Sequence, residues 1–204
     1  MALSPNELLK RVLPGRSILW REKLEHLDAA AASRVLKILA AGDKTIREAV
    51  QKNLPSLLAA NPRKAGIGLW TREITQPVAD QLVDTIADSW TVSALESLRA
   101  YNDILTFDGK AKAMERVPET VDELKKLAAG RPFAARSLKE MVDIVFAGGV
   151  GGAMLATIDE GMRDGWGYKK IVDRVLNESL PDGSAISRRE AITLSRSYVQ
   201  QASV

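Results

Sequence analysis

Acid–base or metal chemistry in this chain would have to pass through one imidazole, because the sequence holds a single histidine, His26, and no cysteine. A zinc site or a catalytic base needs partners arranged around that ring, and no His-Glu-x-x-His or similar pairing is present. His26 follows the charged run Arg21-Glu22-Lys23-Leu24-Glu25, so it reads as a solvated side chain. Without cysteine, disulfides, thiol catalysis and cysteine-ligated zinc are excluded within these residues. Asp159, Glu160 and Asp164 offer the oxygen ligands that a divalent cation prefers, but they lack the regular spacing of a calcium loop and read as a solvated face and turn. Ser195 and Ser197 have no neighbouring histidine or lysine to activate them. The expectation is a protein that is not an enzyme and holds neither metal nor cofactor.

The glycine cluster in Phe146-Ala147-Gly148-Gly149-Val150-Gly151-Gly152-Ala153 admits three readings. A phosphate cradle needs a preceding strand and a following lysine or ribose-binding acid, which are missing. A membrane span needs roughly 20 apolar residues, and the uncharged run from Ile144 to Ile158 falls short of that. Insertion after a conformational change stays open. The reading preferred here is helix packing or a bend. Gly148, Gly149, Gly151 and Gly152 would form a seam of small residues, with Gly148 and Gly152 one turn apart, open to a neighbouring backbone. Each glycine costs a helix about 1 kcal/mol relative to alanine, so the seam is also a soft point.

Helices must position all of these groups. The 204 residues are 46% hydrophobic but only 5% aromatic, a balance suited to helices that pack closely through small side chains. Trp20, Leu24, Leu27, Ala31, Val35 and Ile38 step by three or four residues. Gly42 is expected to end that helix. Thr45 and Glu48 have the spacing of a capping box for the next, which Pro55 would end or kink. Residues 61–70, with Pro62, Gly66 and Gly68, read as a connector. A long helix after Pro77 carries Val78, Leu82, Ile86, Trp90, Leu98 and Tyr101 and breaks near Gly109. A short helix is expected over 118–130, and Ser137 with Glu140 forms a further capping-box pair. No alternating strand and no internal repeat is found. The expected fold is all-α, an irregular helical bundle with a long central helix and a C-terminal helical hairpin. Its segments are 1–60, 61–136 and 137–204. Net charge is +3, and the excess lies in residues 1–60, with ten basic against six acidic side chains. That bias permits contact with nucleic acid or an acidic partner.

The most specific pattern lies in the last third. A helix ends at Gly161 and Gly165, a short helix carries Ile171, Val175 and Leu176, and a final helix reads Arg188-Arg189-Glu190-Ala191-Ile192-Thr193-Leu194-Ser195-Arg196-Ser197-Tyr198. Residues 137–204 resemble the Mu-like phage head morphogenesis family, also called minor head or minor capsid proteins. In that family a glycine turn, a short helix and a loop precede a helix reading roughly A-x-x-I-A-R-T-x-x-x-x-A-N. Ala191, Leu194, Ser195, Arg196, Ser197 and Ala202 match the last motif. Ser197 stands in place of the usual threonine and Tyr198 in place of the frequent glutamate. Residues 1–136 resemble no nameable family, and the corresponding region varies among members of this one.

The resemblance implies a structural virion protein made in the host cytoplasm and residing at the capsid interior or portal vertex. It would be present in low copy, in several copies around the portal. Its partners would be the portal protein and other head proteins, with packaged DNA touched non-specifically and membrane contact only as an ejected protein. A DNA-binding or packaging accessory protein is the rival. Family members often continue into a segment with paired cysteines. The 204 residues are therefore expected to be the N-terminal part of a longer protein or a shortened member. Arg188, Arg189, Arg196 and Gln200 are the candidates for docking or phosphate contact, since guanidinium pairs with carboxylate and phosphate alike. The competing and preferred role for Arg196 is an ion pair with a carboxylate such as Asp159 or Glu160, pinning the hairpin. Trp20 and Trp70 are candidate interface anchors, with core packing as the preferred alternative.

Overall fold

A computed structural model describes the backbone of residues 5–60, 63–107, 136–180 and 185–201, with side chains described at 22–23, 25–60, 63–96, 136–146, 148–180 and 189–197. The chain is all-α, and no β-strand occurs among the described residues. Five helices follow in order. They are α1 (Pro5–Ala59), α2 (Lys64–Phe107), α3 (Leu138–Arg163), α4 (Tyr168–Arg174, continued by a π-helical turn Val175–Ser179) and α5 (Ala185–Gln201). The helix expected over 118–130 lies outside the described residues, as do the side chains of Leu24, Leu98 and Tyr101.

Two long helices replace several expected short ones. Gly42 does not end a helix: α1 runs through it to Ala59, past Pro55 as well. Thr45 is no cap either, since its hydroxyl donates to the Ala41 carbonyl at 3.1 Å inside the continuous helix. The reason is packing. Gly42 is buried against α2, where a Cβ would lie 2.6 Å and 2.8 Å from the two γ-methyls of Val78. The glycine allows the close approach of α1 and α2, whose contact outweighs its poor propensity. Likewise, 64–70 is helix and not connector, and α2 passes through Pro77. Pro77 sits on the exposed side of α2, so the carbonyl that loses its partner lies toward solvent.

Helix α3 opens as its sequence predicts. Ser137 Oγ accepts from the Glu140 amide at 3.2 Å, and Glu140 Oε2 accepts from the Ser137 amide at 2.7 Å. The Ser137 amide foremost, and then the Ser137 hydroxyl, which donates to the same Oε2 at 3.1 Å, hold the Glu140 carboxyl below its ordinary value. A depressed carboxyl pKa stabilises the fold above the ordinary glutamate range and loses that contribution as pH falls through the folded value. Glu140→Gln is therefore expected to be less stable than the parent near neutral pH. The gap should close as pH falls below about 4, read by thermal unfolding across that range.

The middle of α3 is π-helical, from Asp143 to Gly151. The sequence explains why. Leu138, Val142, Phe146, Val150, Met154 and Ile158 recur every fourth residue, and all are buried. In a helix of 3.6 residues per turn such a row drifts by about 40° at each step. The wider i→i+5 turns take up the drift and keep the row facing the core. The opposite row is exposed at the same spacing, with Glu140, Ile144, Gly148, Gly152, Ala156 and Glu160.

Helices α1 and α2 are antiparallel neighbours, tied at one end by an ion pair between Lys23 and Glu96. α3 lies along α2, with Lys64 against Asp159 at 2.6 Å and Gln76 against Asp143 at 3.2 Å. One apolar cluster draws on all three segments marked in the sequence, from Val35, Leu39 and Leu54 through Leu82, Ile86 and Trp90 to Met154, Ile171 and Leu194.

Candidate docking surfaces

The turn between α3 and α4 is built on glycine. Gly165 adopts φ +68°, the Trp166 amide donates to the Gly161 carbonyl at 2.8 Å, and the Gly165 amide donates to the Met162 carbonyl at 3.3 Å. This is a Schellman ending, whose left-handed residue glycine supplies without strain. Gly161 serves a different end. A Cβ there would lie 2.7 Å from Ile171 Cγ1 and 3.0 Å from Trp166 Cε3, so the glycine lets α4 fold back against α3. The hairpin of the last third is thus α3 with α4. Ser179 ties its far end, donating to Thr157 Oγ1 at 2.8 Å.

Helix α5 leaves that hairpin and packs on α1, α2 and the π segment of α3. Ala191, Leu194 and Ser195 are its buried side, while Arg189 and Arg196 are exposed. Arg196 does not pair with Asp159 or Glu160. Its Nε lies 3.6 Å from Asp28 Oδ2 on α1, because α5 lies across α1 and because Asp159 is already held by Lys64. The ion pair fixes α5 on the first helix instead of pinning the hairpin. Thr193 donates back to the Arg189 carbonyl at 2.9 Å. The side chains of Arg188 and Gln200 lie outside the described residues, so of the four proposed contacts Arg189 and Arg196 are placed here.

Ser195 is fully buried and its hydroxyl finds no hydrogen-bond partner. An unpaired buried hydroxyl is destabilising. Ser195→Ala is expected to raise stability by about 1 kcal/mol, measured by urea unfolding.

The glycine seam is corrected in detail. Gly148 and Gly152 are exposed, and a Cβ on Gly152 would meet nothing within 4 Å. Gly151 is the buried one, at ordinary contact distance from Thr75 of α2, 3.6 Å to its Oγ1. The widened π turns rotate Gly148 and Gly152 outward, away from the core. Gly152 has ordinary right-handed helical angles, φ −65° and ψ −42°. Gly152→Ala should therefore stabilise the chain by about 0.5–1 kcal/mol. Its melting temperature should rise by roughly 1–4 °C in calorimetry.

Trp70 is half-buried and packs on the core cluster. The side chain of Trp20 lies outside the described residues. His26 is exposed. Among the described residues no group of three or more His, Asp or Glu side chains is placed to hold a metal. Asp164 neighbours Arg163 at 3.4 Å.

Two features were not foreseen. Trp166, half-buried at the Schellman turn, carries two cations over its ring, Lys170 Nζ at 4.3 Å and Arg174 Cζ at 4.6 Å from the centroid. An open depression of about 440 Å³ adjoins it, lined by Lys170, Asp173, Arg174 and Glu178 among others. Its charges nearly balance, so it offers no strong field. The second is Arg47 on α1. Asp43 holds its Nε at 2.9 Å, its Nη1 donates to the Leu176 carbonyl at 2.9 Å, and its Nη2 donates to the Leu180 carbonyl. The guanidinium closes the C-terminal end of α4, where free carbonyls and the helix dipole favour a cation. The Asp43–Arg47 spacing was the available signal, but its partner 129 residues away was not.

No protein-family model matches the chain, and no curated protein or solved structure is significantly similar to it.

Proposed function

We propose that this chain is a structural protein of a tailed-phage head. In this reading it is a low-copy minor head protein that associates with the portal and acts in head assembly and genome delivery. The observation that supports the reading is the arrangement of the last third. The residues that carry the resemblance fall at structurally meaningful places: Gly161 and Gly165 at the turn, Ile171 in the α3–α4 contact, Ala191 and Leu194 beneath α5. α5 is thereby held as a ridge whose outer side shows Arg189, Thr193 and Arg196. Arginine on such a ridge suits an acidic protein surface. The test is co-expression with the portal encoded in the same genome. Co-purification that survives nuclease treatment and falls on Arg189→Glu is the expected result. A portal that elutes without this chain overturns the reading.

One observation favours a second reading, membrane engagement after ejection. α3 is long and apolar enough to cross a bilayer by length and composition, with a mean hydropathy of 1.8 over its most apolar window, of which 35% is buried in this fold. Dye release from liposomes on adding the chain would support that reading, and intact vesicles would remove it.

A further inference from the structure

Two outward faces of the α1–α2 pair carry opposite charge. On α1, Arg34, Lys37, Lys44 and Lys52 are all exposed. Their spacing places them on one side of the helix, opposite the buried Val35, Leu39, Ile46 and Val50. Glu48 is the one acid among them, since Asp43 is engaged by Arg47. Lys44 only grazes Glu48 at 4.0 Å. On α2, Glu73, Asp80 and Asp84 are exposed. They line the side opposite Thr75, Ala79, Leu82 and Ile86. No basic residue occurs from Glu73 through Leu98. At 1.5 Å per residue the two stripes are about 27 Å and about 17 Å long.

Both faces point to solvent, so neither neutralises the other within one molecule. We propose that the basic face of α1 docks on the acidic face of α2 in a second copy of this chain. The stripes carry opposite sign, which selects each other as partners and disfavours like faces. Leu69, 61% exposed and one turn before Glu73, adds an apolar contact at the end of the acidic stripe. A nucleic-acid duplex suits the α1 face less well, because the acidic stripe on the neighbouring helix repels phosphate. The contact is head-to-tail, so each copy keeps one donor and one acceptor face, and the assembly closes into a ring or extends. This inference stands on the charge layout alone and holds whether or not the head-protein reading does.

Exposed ion pairs are individually weak and screened by salt, so the association is salt-sensitive. The test is sedimentation velocity of the full 204-residue chain at low and high salt. Concentration-dependent oligomers are expected near 0.05 M salt, weakening about tenfold or more near 0.5 M. Lys37→Glu with Lys44→Glu, and separately Asp80→Lys with Asp84→Lys, should each leave a monomer with unchanged helical circular dichroism. An equimolar mixture of the two variants should associate again, since each presents a face the other accepts. A parent chain that stays monomeric at low salt overturns the proposal, as do variants that associate like the parent. So does a monomeric parent whose binding to random duplex DNA is lost in the Lys37/Lys44 variant, which would make the α1 face a phosphate surface.

Discussion

Gly42→Val is expected to lower the unfolding free energy by about 3 kcal/mol, at the upper end of the cost of overpacking a core. The glycine sits in the middle of α1, yet its role is to admit Val78 of α2. A Cβ would intrude to 2.6 Å and 2.8 Å on the valine's γ-methyls and to 3.2 Å on its own Cβ. The valine's branch point is fixed by its rotamer, so the two helices must separate. That separation opens the α1–α2 contact on either side of it. A double-mutant cycle isolates the cause. Gly42→Ala and Val78→Ala should each destabilise, while the pair costs less than the sum by about 1–2 kcal/mol. Urea unfolding gives all four corners. Additive corners would mean that the glycine is tolerated and not required.

Arg47→Ala is expected to cost about 2–3 kcal/mol. Hydrogen bonds to a charged group contribute about 1.5–3 kcal/mol each, and the partial exposure of the guanidinium, 29%, brings the loss below their sum. The change releases the carbonyls of Leu176 and Leu180 and leaves Asp43 without its partner. Lysine should restore less than half of the loss, because a point ammonium cannot span Asp43 and two carbonyls as the planar fork does. Hydrogen exchange adds a spatial check. Amides of 168–179 should lose protection first, while those of the α1–α2 contact keep theirs. Uniform loss over all helices would assign Arg47 a general role and not the closing of α4.

Much of this architecture was legible before any coordinates. Three- and four-residue apolar spacing announces helices, and Ser137 with Glu140 announces where α3 begins. Gly161 and Gly165 announce a turn, because a left-handed residue and a close helix return both favour glycine. What stayed hidden shares one physical character: it depends on a partner distant in sequence. Gly42 looks like a terminator until Val78 lies against it. Pro77 looks like a start until the exposed side of α2 is known. The four-residue repeat from Leu138 to Ile158 was visible, but reading it as a π-helix requires knowing that the whole row is buried. The choice of Asp28 over Asp159 as the partner of Arg196 follows from where α5 lands, which local sequence does not encode. For the site, the surface of α5 was foreseen through Arg189 and Arg196. The charged faces of α1 and α2 were not, because segment totals average over exposed and buried positions alike.

The proposed role makes this chain a minor structural component of a virion. Quantitative mass spectrometry of purified virions made from the genome that encodes it tests the claim most directly. Its peptides are expected in a few copies per portal, far below the major capsid protein. Its absence from particles, or a copy number matching the major shell, would contradict it.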